Sequence, residues 1–156
     1  MNRPADLVWH YTVGQKFALI VDDGWLRPAT AFVVAPEKPI LWFSGNQDWE
    51  ETANKMFRTA GGPLRFGTRE TTRDLGGGLV RFGYRRDRLH PWPKIARKAH
   101  MTAKTMAGLE AAARAAGGTP AEWYGTTRPI PLSQIKWVEV EEDGKWAPVT
   151  VEVTTA

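Results

Sequence analysis

The alternation of apolar and polar residues predicts strands at both ends of this chain. Residues 7–13 (LVWHYTV) alternate with a period of two, which is typical of a pleated strand. Further strands are predicted over residues 31–35, 40–44, 64–68, 79–84, 123–131, 135–141 and 146–153. The last two should form a hairpin around Asp143-Gly144, a dipeptide suited to a tight turn with positive φ.

Helical patterns are fewer. Residues 15–23 predict a short helix that ends at Gly24 in a left-handed cap. Asp48 and Glu51 have the spacing of a capping box, which predicts a helix from Asp48 to about Phe57. One long amphipathic helix is expected over residues 94–116, before Gly117-Gly118. We therefore predict one α+β domain spanning residues 1–156, with mostly antiparallel strands and two or three helices.

Composition excludes several classes of site. The 156 residues contain no cysteine, which excludes disulfide scaffolds, thiolate metal sites and cysteine nucleophiles. The three histidines, His10, His90 and His100, are too far apart in sequence for a helical pair of metal ligands, so no metal is expected. Apolar runs are only a few residues long, and no signal-peptide segment is evident. These features predict a cytoplasmic protein without a membrane partner.

Charge is distributed unevenly along the chain. The net charge is +4, but residues 61–120 carry 12 basic and 4 acidic side chains, a sum of +8. The flanking regions sum to −1 before and −3 after this segment. The basic middle third is either a surface that binds anions or a solvated arginine-rich face without a partner.

Common nucleotide-binding and hydrolase signatures are absent. Gly76-Gly77-Gly78 precedes a strand pattern and lacks the Gly-Lys-Ser/Thr of a P-loop. The sequence has neither a Gly-x-Gly-x-x-Gly segment after a strand nor a Gly-x-Ser-x-Gly elbow.

Three ordered segments carry the remaining signal: WHYT at residues 9–12, LWFS at 41–44 and AEWY at 121–124, the last followed by PIPLSQI at 129–135. In this order they resemble the ADP-ribosyltransferase-like superfamily. The nearest branches are the DNA-modifying ADP-ribosyltransferase toxins and the RNA 2′-phosphotransferases. The resemblance covers residues 7–45 and 121–140 and leaves the middle of the chain unmatched.

The resemblance implies a split β-sheet core and NAD as a substrate. The expected reaction cleaves the nicotinamide–ribose bond and transfers ADP-ribose to a macromolecular acceptor, with DNA or RNA as candidates. Glu122 would orient the ribose and stabilise its developing positive charge, with His10 and Ser44 completing the catalytic set. A role as a toxin or a defence protein also follows from the resemblance alone.

Other candidate ligand contacts lie on the same segments. By resemblance, His10 and Thr12 would bind the adenosine-side ribose. An aromatic wall for the nicotinamide is predicted from Trp42, Phe43, Trp49 and Phe57. Each residue also has a structural interpretation, since aromatics pack in cores, a buried histidine can bond to backbone, and a glutamate can precede an edge strand.

The arginines suggest a nucleic-acid partner. Contacts to phosphate are predicted for Arg65, Arg81, Arg85, Arg86, Arg88 and Arg97. Two alternatives stay open: a non-catalytic basic module that binds nucleic acid, and a 2′-phosphotransferase-like activity. The second motif also lacks the tyrosine of the His-Tyr-Glu subgroup. Convergence of His10, Ser44 and Glu122 on one cleft would favour the enzyme.

Overall fold

The computed structural model describes residues 2–58 and 60–152, and these form an α+β domain with antiparallel strand pairing, which confirms the predicted class. The strands are β1 (Leu7–Val13), β2 (Trp25–Leu26), β3 (Leu41–Ser44), β4 (Met56–Arg58), β5 (Leu64–Phe66), β6 (Leu79–Arg85), β7 (His90–Pro91), β8 (Trp123–Thr126), β9 (Ile130–Pro131), β10 (Trp137–Glu142) and β11 (Lys145–Pro148). The helices are α1 (Gly14–Asp23), α2 (Arg69–Gly76), α3 (Lys94–Lys98) and α4 (Ala103–Ala115).

The main sheet has the strand order β11-β10-β6-β1-β3-β8-β7. Strands β1 and β6 pair over their whole length, from Leu7 opposite Arg85 to Val13 opposite Leu79. Strands β1 and β3, by contrast, share the single registered pair Trp9–Ser44. The sheet therefore opens between β1 and β3, and we call this gap the β1–β3 opening.

One face of the sheet is covered by α1. Val8, Phe43 and Phe82 are buried on this side, and Phe17 and Ile20 of α1 pack against them. The small β2–β9 sheet adds Leu26 and Ile130 to the same cluster, and Gly24 ends α1 with φ +82°, as predicted. We call this side the α1 face.

The opposite side of the sheet is rich in tryptophan, and we call it the tryptophan face. Trp9 and Tyr11 form one buried cluster there with Trp49, while Trp42 packs against a second cluster around Ile95 of α3. Helix α2 also contacts this side, because its Arg69 lies over the rings of Trp49 and Trp146. Each face of the sheet thus has its own apolar core.

The predicted long helix is two helices. Helices α3 and α4 are separated at His100, which has a left-handed backbone with φ +58°. Thr102 then caps α4 by accepting a hydrogen bond from the backbone N–H of Thr105. A continuous helix over 94–116 is therefore wrong, because the cap and the left-handed residue redirect the chain in its middle.

The predicted helix from Asp48 to Phe57 is also wrong. Residues Glu51–Ala53 form a single 3₁₀ turn, and the chain then enters β4. Glu50, rather than Asp48, caps this turn through its carboxylate. Periodicity over so short a segment does not distinguish a helix from a turn followed by a strand.

Three further predictions need correction. Residues 31–35 form no strand, since Phe32 has φ +63° and both Phe32 and Val34 are exposed. Helix α2, capped by Thr68, occupies the arginine-rich stretch between residues 68 and 79, for which no helix was predicted. The segment 123–131 is two strands, and β8 lies between β3 and β7 rather than at an edge.

The C-terminal hairpin is confirmed. Strands β10 and β11 pair around Asp143 (φ +50°) and Gly144 (φ +77°), the geometry of a tight hairpin turn. Val153, the last residue of the predicted strand, lies outside the described residues. None of the described helices has the length and apolar character needed to cross a membrane.

A buried ion pair connects β6 and β10 on the tryptophan face. Arg81 is 2% exposed, and its Nη2 donates to Glu139 Oε1 at 2.6 Å. Its guanidinium lies 3.9 Å from the Trp9 ring centroid and 4.5 Å from that of Trp146. Arg81 Nη1 also donates to the Gln47 carbonyl at 2.5 Å, which fixes the loop after β3.

Replacing Arg81 with Met should lower the free energy of unfolding by about 3–5 kcal/mol, because the buried Glu139 carboxylate loses its main partner and keeps only the half-exposed Arg3, 3.4 Å away. The double variant Arg81→Met/Glu139→Leu should recover much of this loss, since neither charge remains. Urea denaturation of the two variants and the wild type measures both changes. A double variant less stable than Arg81→Met would contradict this account of the pair.

Candidate functional site

The strand order brings the three motif segments next to one another. Strand β1 carries WHYT, β3 carries LWFS, and β8 begins immediately after Glu122. In register, Trp9 lies opposite Ser44, and Ser44 lies opposite Trp123. The next row of the sheet therefore contains His10, Phe43 and Tyr124. The three segments thus meet at the β1–β3 opening.

His10 bridges this opening. Its Nδ1 lies 2.8 Å from the Trp42 carbonyl oxygen and, because a carbonyl only accepts, Nδ1–H is the donor. The ring also packs against Phe43 and Phe82, with centroid separations of 5.8 Å and 6.4 Å. Burial lowers the pKa of His10 below its ordinary value of 6.5. The hydrogen bond to the Trp42 carbonyl raises this pKa and so opposes part of the effect. The imidazole is therefore neutral at pH 7, and Nε2 is left as an acceptor for a donor such as a sugar hydroxyl.

Thr12 and Phe43 also lie on the α1 face, but they differ in exposure. Thr12 is partly buried two residues beyond His10 on β1 and so adjoins it on the same face. Phe43 is 2% exposed and packs against Tyr84 with a centroid separation of 5.8 Å. Its side chain is part of the core, and little of it is available to a ligand.

Ser44 and Trp42 lie on the opposite face of the sheet from His10. Trp42 packs in an aromatic cluster with Trp92 and Trp123. Ser44 is 1% exposed, and its hydroxyl donates to Glu50. The predicted slot of Trp42 with Phe43 is therefore not formed, because successive residues of a strand point to opposite faces.

Two further aromatics were expected in that wall. Trp49 is buried in the cluster around Tyr11 on the tryptophan face, and Phe57 is on β4, away from the main sheet. Their apolar character is evident from the sequence, but the face of the sheet on which each one lies is not.

Glu122 ends a 3₁₀ turn, Pro120–Glu122, immediately before β8. Its carbonyl accepts a hydrogen bond from the backbone N–H of Gly45 at 2.7 Å, which ties this turn to the end of β3. The side chain is half-buried. Within residues 2–58 and 60–152, its carboxylate has no ion-pair or hydrogen-bond partner. It is thus a free carboxylate beside the end of β3.

Arg86 and Tyr124 lie beside Glu122 and were not predicted to act together. Tyr124 follows Glu122 by two residues and lies in the row of His10. Arg86 Nη1 donates to the Tyr124 hydroxyl at 2.9 Å, and the guanidinium lies 5.1 Å from the ring centroid. The two-residue spacing of Glu122 and Tyr124 is visible in the sequence, but the contact of Tyr124 with Arg86 depends on strand order.

Glu50 is a buried carboxylate that sequence reasoning assigned to a helix start. It is 7% exposed and accepts from the Ser44 hydroxyl at 2.9 Å, from the Thr52 hydroxyl at 2.5 Å and from the Thr52 N–H at 3.1 Å. A Cβ added to Gly118 would lie 3.3 Å from Glu50 Oε2. Glu50 therefore packs against the segment that leads into the Glu122 turn.

The predicted phosphate contacts separate into three groups. Arg81 is buried in its ion pair with Glu139, so it belongs to the core and not to a phosphate-binding surface. Arg85 and Arg86 are partly exposed, and each has a carboxylate neighbour, Asp87 at 2.8 Å and Asp6 at 3.5 Å respectively. The remaining predicted contacts are exposed: Arg65, Arg88 and Arg97.

Two surface clefts lie away from these residues. The first cleft has a volume of about 380 Å³ and is lined mainly by apolar side chains of β10 and the segment after β11. The second has a volume of about 290 Å³ and is lined by Arg27, two threonines and prolines. Neither contains His10, Ser44 or Glu122. We take the β1–β3 opening as the site because His10 and Glu122, the partly exposed titratable groups of the motifs, lie on the two parts of the sheet that it separates, whereas Ser44 is buried on the opposite face.

Comparison with protein-family models, curated proteins and solved structures finds no match for this chain. The described residues also contain no group of three or more His, Asp or Glu side chains placed to hold a metal ion. Functional inference therefore starts from the residues at the β1–β3 opening.

The lowered pKa of His10 predicts a loss of stability in mild acid. An imidazole of the unfolded chain takes up its proton near pH 6.5, before the folded protein does, so unfolding is favoured as the pH falls through 6.5. His10→Gln retains a donor for the Trp42 carbonyl but does not titrate. Its melting temperature should fall less than that of the wild type between pH 7.5 and about 5. Parallel curves for the two proteins would contradict the assignment.

Removing the Glu50 carboxylate should destabilise the fold. Glu50→Ala leaves the Ser44 and Thr52 donors without their acceptor, at an expected cost of about 1–3 kcal/mol. Glu50→Gln should lose less, because the amide oxygen still accepts. Chemical denaturation measures the loss, with Glu142→Ala at an exposed position as the control. Equal stability of Glu50→Ala and the control would show that these bonds contribute little.

Proposed function

We propose that this protein is a cytoplasmic, NAD-consuming ADP-ribosyltransferase-like enzyme whose acceptor is a nucleic acid. The observation that carries the proposal is the adjacency of β1, β3 and β8, which juxtaposes the His10, Ser44 and Glu122 segments at the β1–β3 opening. The same three segments, in the same chain order, support the resemblance to the ADP-ribosyltransferase-like superfamily.

The spacing of these residues suits a ligand that spans two sugars. Two strand separations lie between His10 on β1 and Tyr124 on β8, about 10 Å, and Glu122 is two residues further along. A single extended dinucleotide can bridge such a distance. The neutral His10 imidazole then accepts from a ribose hydroxyl through Nε2, with Thr12 beside it, while Glu122 meets the second ribose.

The proposed chemistry needs one carboxylate. The bond between the nicotinamide nitrogen and the ribose C1′ breaks, and the electron pair leaves with neutral nicotinamide. Positive charge develops on the ribose, where the Glu122 carboxylate stabilises it and orients a hydroxyl. The acceptor nucleophile then bonds to C1′ and releases its proton. Ser44 has a supporting role here: its hydroxyl is held by Glu50, and its neighbour Gly45 binds the Glu122 carbonyl.

The acceptor is inferred from the exposed cations near β7. Lys94, Arg97 and Lys98 lie on α3, beside the edge strand β7 that pairs with β8. Burial and, to a lesser degree, the charges of Lys98 and Lys94 lower the pKa of His90 on β7, which supports a positive potential there. A polyanion such as single-stranded DNA or RNA is the acceptor that this surface would attract.

The same cations favour a second candidate, a non-catalytic module that binds nucleic acid. Arg88 and Arg97 are exposed and have no ion-pair partner within the described residues. A 2′-phosphotransferase-like reaction, by contrast, needs several basic side chains converging on one phosphate. Of the predicted arginines, Arg86 alone contacts the residues around Glu122, so we rank that reaction lower.

Incubation with NAD and single-stranded DNA or RNA tests the proposal. The wild type should release nicotinamide and transfer label from ³²P-NAD to the nucleic acid. Glu122→Ala and Glu122→Gln should lower the rate by about 10²-fold or more, because the developing charge loses its carboxylate. His10→Ala should raise KM for NAD more than it lowers kcat. Chromatography of nicotinamide and gel autoradiography provide the two readouts.

Glu142→Ala, an exposed substitution on the β10–β11 hairpin, should retain wild-type activity. Absence of nicotinamide release with DNA, RNA and protein acceptors would refute the proposed enzymatic activity. Binding to single-stranded nucleic acid that weakens steeply with salt and survives Glu122→Ala, in the absence of turnover, would support the second candidate instead.

A further inference from the structure

We infer that Arg86 is the residue of this site that binds a phosphate group of the ligand. The inference rests on the proposed function for its location, but it concerns binding and is tested without turnover. Arg86 begins the 3₁₀ turn Arg86–Arg88 after β6, on a different element from each of the three motifs. It was one of six arginines that the sequence offered as equivalent phosphate contacts.

The position of Arg86 distinguishes it from the other five. A Cβ added to Gly45 would lie 3.9 Å from Arg86 Nη2 and 3.5 Å from the Glu122 carbonyl oxygen. The guanidinium therefore lies at the point where the end of β3 meets the Glu122 turn. Of the others, Arg81 is buried and Arg85 is bonded to Asp87.

Tyr124 orients the guanidinium. The Nη1 bond to the phenol oxygen and the position over the ring hold Arg86 at two points. The orientation leaves donors free, since Nε is buried without a hydrogen-bond partner in the described residues, and Nη2 has none there either. Asp6 Oδ1 lies 3.5 Å from Nε, but that carboxylate is 79% exposed and the pair lacks hydrogen-bond geometry.

The Arg86 guanidinium is partly exposed, so its unpaired Nη2 can donate to a phosphate oxygen while the charge of the group attracts the anion. The carboxylate of Glu122 lies on the neighbouring turn, so an anion at Arg86 is placed close to the proposed reaction centre. The ligand class is thus a phosphate ester or a pyrophosphate.

That phosphate has two sources in the proposed reaction, the pyrophosphate of NAD and the backbone of the nucleic-acid acceptor. Calorimetric titration of the wild type with ADP-ribose, and separately with a single-stranded oligonucleotide, distinguishes them. Arg86→Gln should weaken the affinity for the ligand that supplies the phosphate about tenfold or more. Arg86→Lys should recover only part of it, since an ammonium keeps the charge but not the planar group that Tyr124 orients. Tyr124→Phe should weaken binding of the same ligand by a smaller factor, because it removes the hydroxyl that orients Arg86.

Arg114→Gln is the matched control, because Arg114 is an exposed arginine of α4 paired with Glu110. If Arg86→Gln loses affinity for ADP-ribose, Arg86 binds the pyrophosphate of NAD. If it loses affinity for the oligonucleotide alone, Arg86 binds the backbone of the acceptor. Unchanged affinity for both ligands in Arg86→Gln, or no binding of either ligand by the wild type, would overturn the inference. Nicotinamide release by the wild type is measured separately and tests the proposed function. Failure of the phosphate-binding inference is therefore distinguishable from failure of the proposed function.

Discussion

The buried Arg81–Glu139 pair is the interaction on which the arrangement of the site depends. Arg81 joins β6 to β10 through Glu139, and it also donates to the carbonyl of Gln47 in the loop after β3. That loop is further held by Tyr11, whose hydroxyl donates to the Asn46 carbonyl at 2.6 Å. Burial is the main reason that the pKa of Tyr11 rises to about 12, which keeps this donor protonated. The end of β3 is thus fixed from the tryptophan face.

Fixing the end of β3 has a consequence on the other side of the sheet. Gly45 follows directly after β3 and binds the carbonyl of Glu122, so the Glu122 turn is positioned through the same loop. Strands β1 and β3 meanwhile share one registered pair, and His10 bonds across the gap to Trp42. One half of the sheet therefore contributes His10 and the other half Glu122, with a rigid tryptophan face behind both.

Local signals in the sequence were sufficient to predict β1, α1 and the C-terminal hairpin. The period of two over residues 7–13, Gly24 as a left-handed cap and Asp143-Gly144 as a turn all act within a few residues. The helix expected from Asp48 failed because a distant partner decides its conformation: the Glu50 carboxylate binds Ser44 on β3. The continuous helix over 94–116 failed at His100, because positive φ is uncommon in any residue other than glycine and neither glycine nor proline marks the break.

The residues of the candidate site could be predicted from the sequence, but the faces of the sheet on which they lie could not. His10, Ser44 and Glu122 were identified from motif order, yet strand alternation separates His10 from Ser44 and turns Trp42 away from Phe43. Register fixes these faces, and a shift of one residue would reverse them. Tyr124 and Arg86 come together only because β8 lies beside β3, which no pattern in a single sequence reveals.

The regional charge of the sequence also needs reinterpretation in three dimensions. Arg69, Arg73 and Arg81 belong to the basic middle third, but Glu141 binds the first two and Glu139 the third. Both glutamates come from the acidic last third, so part of the charge asymmetry is neutralised inside the fold. Of the exposed cations of this third that have no ion pair in the described residues, Arg88, Lys94, Arg97 and Lys98 lie on and just before α3, beside the edge strand next to β8, whereas Arg65 and Lys104 lie on β5 and α4. The positive charge relevant to a partner is therefore smaller than +8, and part of it lies beside the strand that pairs with β8.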